Sequence, residues 1–119
     1  TAALLAAVFF YPVKPSDETV DLSGLYKGKY LDKGRNVRRN KFRLKIRHEG
    51  ERLEAEALDN TLWITGLVVE SKVFVEWEHA SGNRGKGVWD ILEGGSRLKG
   101  VWDSEGSGRF YGEWDFTRQ

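Results

Sequence analysis

The chain has 119 residues and a mass of 13.6 kDa, enough for one domain and too little for a second independent core. With 39% hydrophobic and 31% charged residues and only 2 Pro, it is neither a disordered tail, a collagen nor a polytopic membrane protein. The net charge of +1 conceals an asymmetry: Lys27, Lys29, Lys33, Arg35, Arg38, Arg39, Lys41, Arg43, Lys45 and Arg47 face a single acid, Asp32, so the rest of the chain is net negative.

Five Trp, 4 Tyr and 6 Phe beside 14 Gly is the usage of a tightly curving β-protein, in which rings pad pleated faces and glycine permits sharp bends. Cysteine is absent, which excludes a disulfide framework, a thiolate nucleophile and a Cys-based zinc site. Methionine is absent too, and with Thr1 first a longer parent chain is expected.

In chain order, residues 1–13 form an uncharged apolar stretch ending in Phe9-Phe10-Tyr11-Pro12. It is too short to span a bilayer, which takes roughly 20 residues. Three readings fit it: the end of a cropped transmembrane helix leaving the bilayer at an aromatic belt, the remnant of a signal segment, or a short helix packed on the fold. Residues 14–21 read as a polar linker. From residue 22 the apolar period is two. Tyr26, Gly28 and Tyr30 alternate with Lys27 and Lys29, and Phe42, Leu44, Ile46 and His48 alternate with Lys41, Arg43, Lys45 and Arg47. After a turn at Glu49-Gly50-Glu51, Leu53, Ala55 and Ala57 alternate with Arg52, Glu54 and Glu56, and Asp59-Asn60 marks the next turn. Leu62 to Val69 is apolar almost throughout, so its inward face is undetermined. Val73, Val75, Trp77 and His79 come next, before a turn over residues 81–85. Gly87-x-Trp89-x-Ile91, Leu98-x-Gly100-x-Trp102 and Phe110-x-Gly112-x-Trp114-x-Phe116 close the chain.

Short strands with tight connections predict an all-β domain over 22–119, an antiparallel up-and-down β-barrel of about eight strands, preceded by the short apolar, helical segment. Closure removes exposed edges, and strand-interior glycines let the sheet bend.

Little supports catalysis. His48 and His79 are the only imidazoles, each at a strand end, and no serine sits in a nucleophile elbow. Neither has the spacing of a preformed metal site, and no cofactor is expected. No enzyme is read. The segment Lys33 to Asn40 reads as the loop joining the first two strands, at one mouth of the barrel. There Lys33, Arg35, Arg38 and Arg39 suit a phosphate, whose oxygens accept paired guanidinium bonds, or anionic lipid headgroups. Inward rings at Tyr26, Tyr30, Phe42, Trp77, Trp89, Trp102, Phe110, Trp114 and Phe116 are enough to fill an eight-stranded interior. With the mouth open, Tyr26, Tyr30 and Trp77 offer stacking faces for a nucleobase.

The units Gly87-Val88-Trp89 and Gly112-Glu113-Trp114 resemble the G-x-W habit of the calycin group of lipocalin-like and avidin-like barrels. With the apolar segment, the opening Leu22-Ser23-Gly24-Leu25-Tyr26-Lys27-Gly28 and the close through Trp114-x-Phe116-x-Arg118, the chain also resembles the sensor domain of two-transmembrane β-barrel effectors of bacterial antiphage signalling. That resemblance implies a cyclic di- or oligonucleotide ligand, ligand-driven homo-oligomer assembly, and inner-membrane anchoring through upstream helices with the barrel in the cytoplasm; it implies no long nucleic acid partner. The residues alone leave open a secreted or periplasmic lipocalin-like carrier of an apolar molecule. They also leave open a solid barrel that recruits a partner chain through the face bearing Phe74 and Tyr111.

Overall fold

The computed structural model describes residues 20–33, 36–105 and 111–119. The apolar segment, nearly all of the linker, Arg35 and Phe110 lie outside the described residues. Eight strands form the domain: β1 (Gly24–Asp32), β2 (Val37–Glu49), β3 (Arg52–Ala57), β4 (Leu62–Val69), β5 (Lys72–His79), β6 (Arg84–Leu92), β7 (Arg97–Ser104) and β8 (Tyr111–Arg118). Each pairs antiparallel with the next, and β8 pairs back onto β1, so the sheet is a closed up-and-down barrel as the alternation foretells. Among the described residues no helix is long and apolar enough to cross a membrane.

One boundary differs from the sequence reading. Arg38, Arg39 and Asn40 are strand, not loop: after an irregularity between Gly28 and Tyr30, the ladder resumes with Tyr30 opposite Arg39, Leu31 opposite Arg38 and Asp32 opposite Val37. Cross-strand backbone bonds outweigh the weak strand preference of these residues. The face of β4 is also settled. Ile64 is buried while Trp63, Leu67 and Val69 point outward, because Gly66 lies opposite Leu53 and Val75 on the inner face.

The G-x-W units explain how eight strands close so tightly. Gly100 sits between Trp89 and Trp114 on the two neighbouring strands, and Gly112 sits between Trp102 and Asp32. Large and small residues thus alternate around the circumference, so each inward indole lies across a position that has no side chain. The approach is close enough that a Cβ on Gly112 would stand 1.7 Å from the Leu31 carbonyl oxygen.

One end is plugged. Tyr26, fully buried, places its hydroxyl 3.0 Å from the Leu22 carbonyl and 2.9 Å from the Gly95 carbonyl, and accepts bonds from Arg118 Nε at 3.2 Å and Nη2 at 2.9 Å. Arg118 Nη2 also donates to the Asp21 carbonyl at 2.6 Å, tying the C-terminal strand to the chain entering β1. His48 supports the same end: Nδ1 accepts from the Leu22 N–H at 3.0 Å, so the neutral ring carries its proton on Nε2 and donates to the Gly50 carbonyl at 2.8 Å. Trp89, Phe116, Leu98 and Leu44 fill the interior above the plug.

On the outer wall, Arg97 holds Asp115 by two bonds, Nε to Oδ1 at 3.1 Å and Nη2 to Oδ2 at 2.8 Å. That bidentate pair keeps the Asp115 carboxyl below its ordinary value of 3.8. A depressed folded pKa stabilises the fold above the unfolded value, and the contribution is lost as pH falls through the folded one. Asp115→Asn is expected to cost about 1 kcal/mol at pH 7 and to flatten the decline in urea midpoint below about pH 4. An unchanged acid profile in the variant would show that the pair contributes nothing.

Candidate functional site

In a meander the turns fall alternately at the two ends, so the connections after β1, β3, β5 and β7 share the end opposite the plug. There the barrel is open. A cavity of about 380 Å³ enters between these turns, lined by Tyr30, Phe42, Leu62, Trp77, Trp102 and Trp114 and rimmed by polar residues of the strand ends and turns. Its rings pack edge to face: Tyr30 on Phe42 at 5.8 Å and 75°, Tyr30 on Trp102 at 6.3 Å and 77°, Trp77 on Trp102 at 5.6 Å and 86°. Edge-to-face contacts fix each ring by its neighbours, so the wall is preorganised.

The rings sit where they do because the inner faces of β1, β2, β5, β7 and β8 each put an aromatic near the same end. Trp77 is two residues from the end of β5, and its indole N–H donates to the Asp103 carbonyl at 3.0 Å across Gly85. Trp102 and Trp114 follow from the glycines beside them. Among the described residues the Trp102 indole nitrogen has no hydrogen-bond partner, and neither does that of Trp89 below. The lower wall is built of rings, with Trp114 and Phe116 against Trp89 at ring separations of 5.6 and 5.2 Å.

The rim is polar. Asp32, 1% exposed, ends β1 at the cavity wall. Asp59 Oδ1 accepts from the Thr61 N–H at 3.2 Å and hydroxyl at 2.6 Å, which shapes the β3–β4 turn. His79 Nδ1 accepts from the Ser81 N–H at 3.0 Å and lies 2.9 Å from the Ser81 hydroxyl, shaping the β5–β6 turn, to which Asn83 also belongs. The described lining thus carries two carboxylates and no Lys or Arg. Among the described residues no group of three His, Asp or Glu converges as a metal site would require.

The residues singled out from sequence are split by this geometry. Tyr30 and Trp77 come together in the cavity wall. Tyr26 does not: four residues earlier on the same face, it lies in the plug at the far end, about 13 Å along the strand. Lys33 stands at the right mouth but turns outward to Glu113 at 2.9 Å, raising its own pKa and lowering that of Glu113. Arg38 is exposed and borders a shallow outer groove with Lys29, Lys99, Glu113 and Asp115. Arg39 is described only in its backbone, opposite Tyr30, and Arg35 lies outside the described residues. The sequence reading missed Asp32, Asp59, Thr61, Leu62, Ser81 and Asn83 as lining residues. The signal for them was topological, since alternate turns of a meander meet at one end.

These features define a closed antiparallel eight-stranded barrel, plugged at one end and opening at the other into a ring-walled cavity. A de novo designed fluorescence-activating β-barrel is similar to it, with a TM-score of 0.57 and 12% sequence identity over 82% of this chain and 93% of that one. At that identity the likeness is one of fold. No family model and no curated protein matches the chain.

Proposed function

We propose that the chain is a non-enzymatic small-molecule-binding barrel whose ligand is a planar, uncharged or cationic molecule seated between the rings of the open end. The observation that carries this is the cavity itself: five aromatic side chains around about 380 Å³, with acceptor-rich polar groups at the rim and no ammonium or guanidinium among its described lining. Rings supply stacking faces and attract cations through their quadrupoles. A barrel of the same fold has been designed to activate fluorescence, which accords with a binding role.

The reading is tested by tryptophan fluorescence titration with Nile red as a neutral probe, thioflavin T as a cationic one, and a cyclic dinucleotide as an anionic one. Nile red or thioflavin T is expected to bind, and Ser81→Trp, which places a large side chain at the entrance, to weaken binding at least about tenfold. Binding of neither dye, or equal binding to the variant, would refute the proposal.

A second reading keeps the anionic ligand: a cyclic nucleotide sensor anchored in the bacterial inner membrane, triggering an antiphage effector from the cytoplasm. It is favoured by one observation, that the connection carrying Lys33 and Arg35 opens at the same mouth as the cavity, since Asp32 at its start lines that cavity. A cyclic dinucleotide binding more tightly than either dye, with affinity falling steeply as salt rises, would establish it instead.

A further inference from the structure

The outer wall of β1 and β2 carries a run of exposed cations, of which Arg47 is held by Glu54 and Glu56 and Lys45 stands opposite Glu56 on β3. Some of the chain's cations are matched, Lys33 with Glu113, Arg47 with Glu54 and Glu56, Lys72 with Asp90 and Arg97 with Asp115. Lys27, Lys41, Arg43 and Lys45 are exposed and make no ion pair among the described residues. Lys27 and Arg43 are directly opposite each other across the two strands, an arrangement of like charges that works against the sheet. This wall also exposes leucines at its two ends. Leu25, 43% exposed, is opposite Lys45, and Leu58, 46% exposed, borders a shallow groove with Lys27, Lys41 and Arg43. The one acid in that groove, Asp59, is held by Thr61.

From this juxtaposition we infer that the β1–β2 wall is a docking surface for an anionic lipid bilayer. Cations attract the headgroups, and leucines at both ends enter the interfacial layer. The exposed leucines favour a lipid surface over nucleic acid, which would be gripped by cations alone or by cations with stacked rings.

The test is co-sedimentation of the full chain with vesicles of 30% phosphatidylserine in phosphatidylcholine, and with phosphatidylcholine alone. The charged vesicles are expected to bind the protein preferentially, and binding to fall sharply between 0.1 and 0.5 M salt, as the screening length shrinks from about 10 Å toward a few ångströms. Lys27→Glu is the informative variant, because it replaces a like-charge cross-strand pair by an attractive one with Arg43. Its Tm should not fall, while vesicle affinity drops at least about fivefold. Lys27→Glu with Arg43→Glu should weaken affinity by about twentyfold or more. Equal binding to uncharged vesicles, unchanged affinity in Lys27→Glu, or tighter binding to duplex DNA than to charged vesicles would each overturn the inference.

Discussion

Gly100→Ala is expected to lower the unfolding free energy by about 3 kcal/mol or more, at the upper end of what overpacking a core costs. An added Cβ would stand 1.8 Å from the Val88 carbonyl oxygen, 2.7 Å from its carbon and 2.8 Å from the Trp89 Cα. All three are backbone atoms, so no rotamer change relieves the overlap; β6 and β7 must separate, and the ladder that pairs Trp89 with Gly100 must open. Urea unfolding followed by tryptophan fluorescence measures the loss. Val101→Ala, next in sequence but 56% exposed on the outer wall, serves as the control and should shift stability by about 0.5 kcal/mol or less. A Gly100→Ala protein within about 1 kcal/mol of the parent would show that closure does not depend on the missing side chain.

Tyr26→Phe is expected to cost about 2–3 kcal/mol, although it removes one oxygen atom and leaves the ring in place. That oxygen lies within bonding distance of two carbonyls and accepts from the Arg118 guanidinium, and nothing else at the plug replaces it. Burial raises the Tyr26 pKa above its ordinary value of 10.0, the Arg118 bond opposing it in part. For a raised folded pKa the contribution to stability is complete below the unfolded value and is lost as pH climbs through the folded one. The parent should therefore weaken above about pH 10 more than the variant does. Stability curves of both proteins from pH 7 to 11 check this, and a change of less than about 0.5 kcal/mol at pH 7 would dissociate the hydroxyl from the plug.

Strand order, closure and most inward faces were legible because one-sided burial writes a period of two into the chain. The β2 run Phe42, Leu44, Ile46, His48 against Lys41, Arg43, Lys45, Arg47 shows it, and the structure keeps that alternation. Leu62 to Val69 was not legible, because Trp63, Leu67 and Val69 are apolar yet face outward, erasing the contrast that register later restores. The arginine-rich start of β2 read as loop because its pairing with β1 is a backbone property that side chains do not announce. The candidate site was half legible. Aromatic identity and inward direction could be read locally, which found Tyr30 and Trp77. Which end stays open could not, because the plug is assembled from Tyr26, Gly95 and Arg118, residues far apart in the chain. The same long-range assembly explains why Tyr26, on the same face as Tyr30, serves stability and not the cavity.

The most direct measurement of the central claim is a two-dimensional ¹⁵N–¹H spectrum of the five tryptophan indole groups during titration with Nile red and with thioflavin T. Trp77, Trp102 and Trp114 line the cavity, while Trp63 stands on the outer wall. Saturable shifts at Trp77, Trp102 and Trp114 with Trp63 unmoved are the predicted result. Movement of Trp63 alone, or no shift of the three cavity indoles with either dye, would contradict a ligand seat inside the open end.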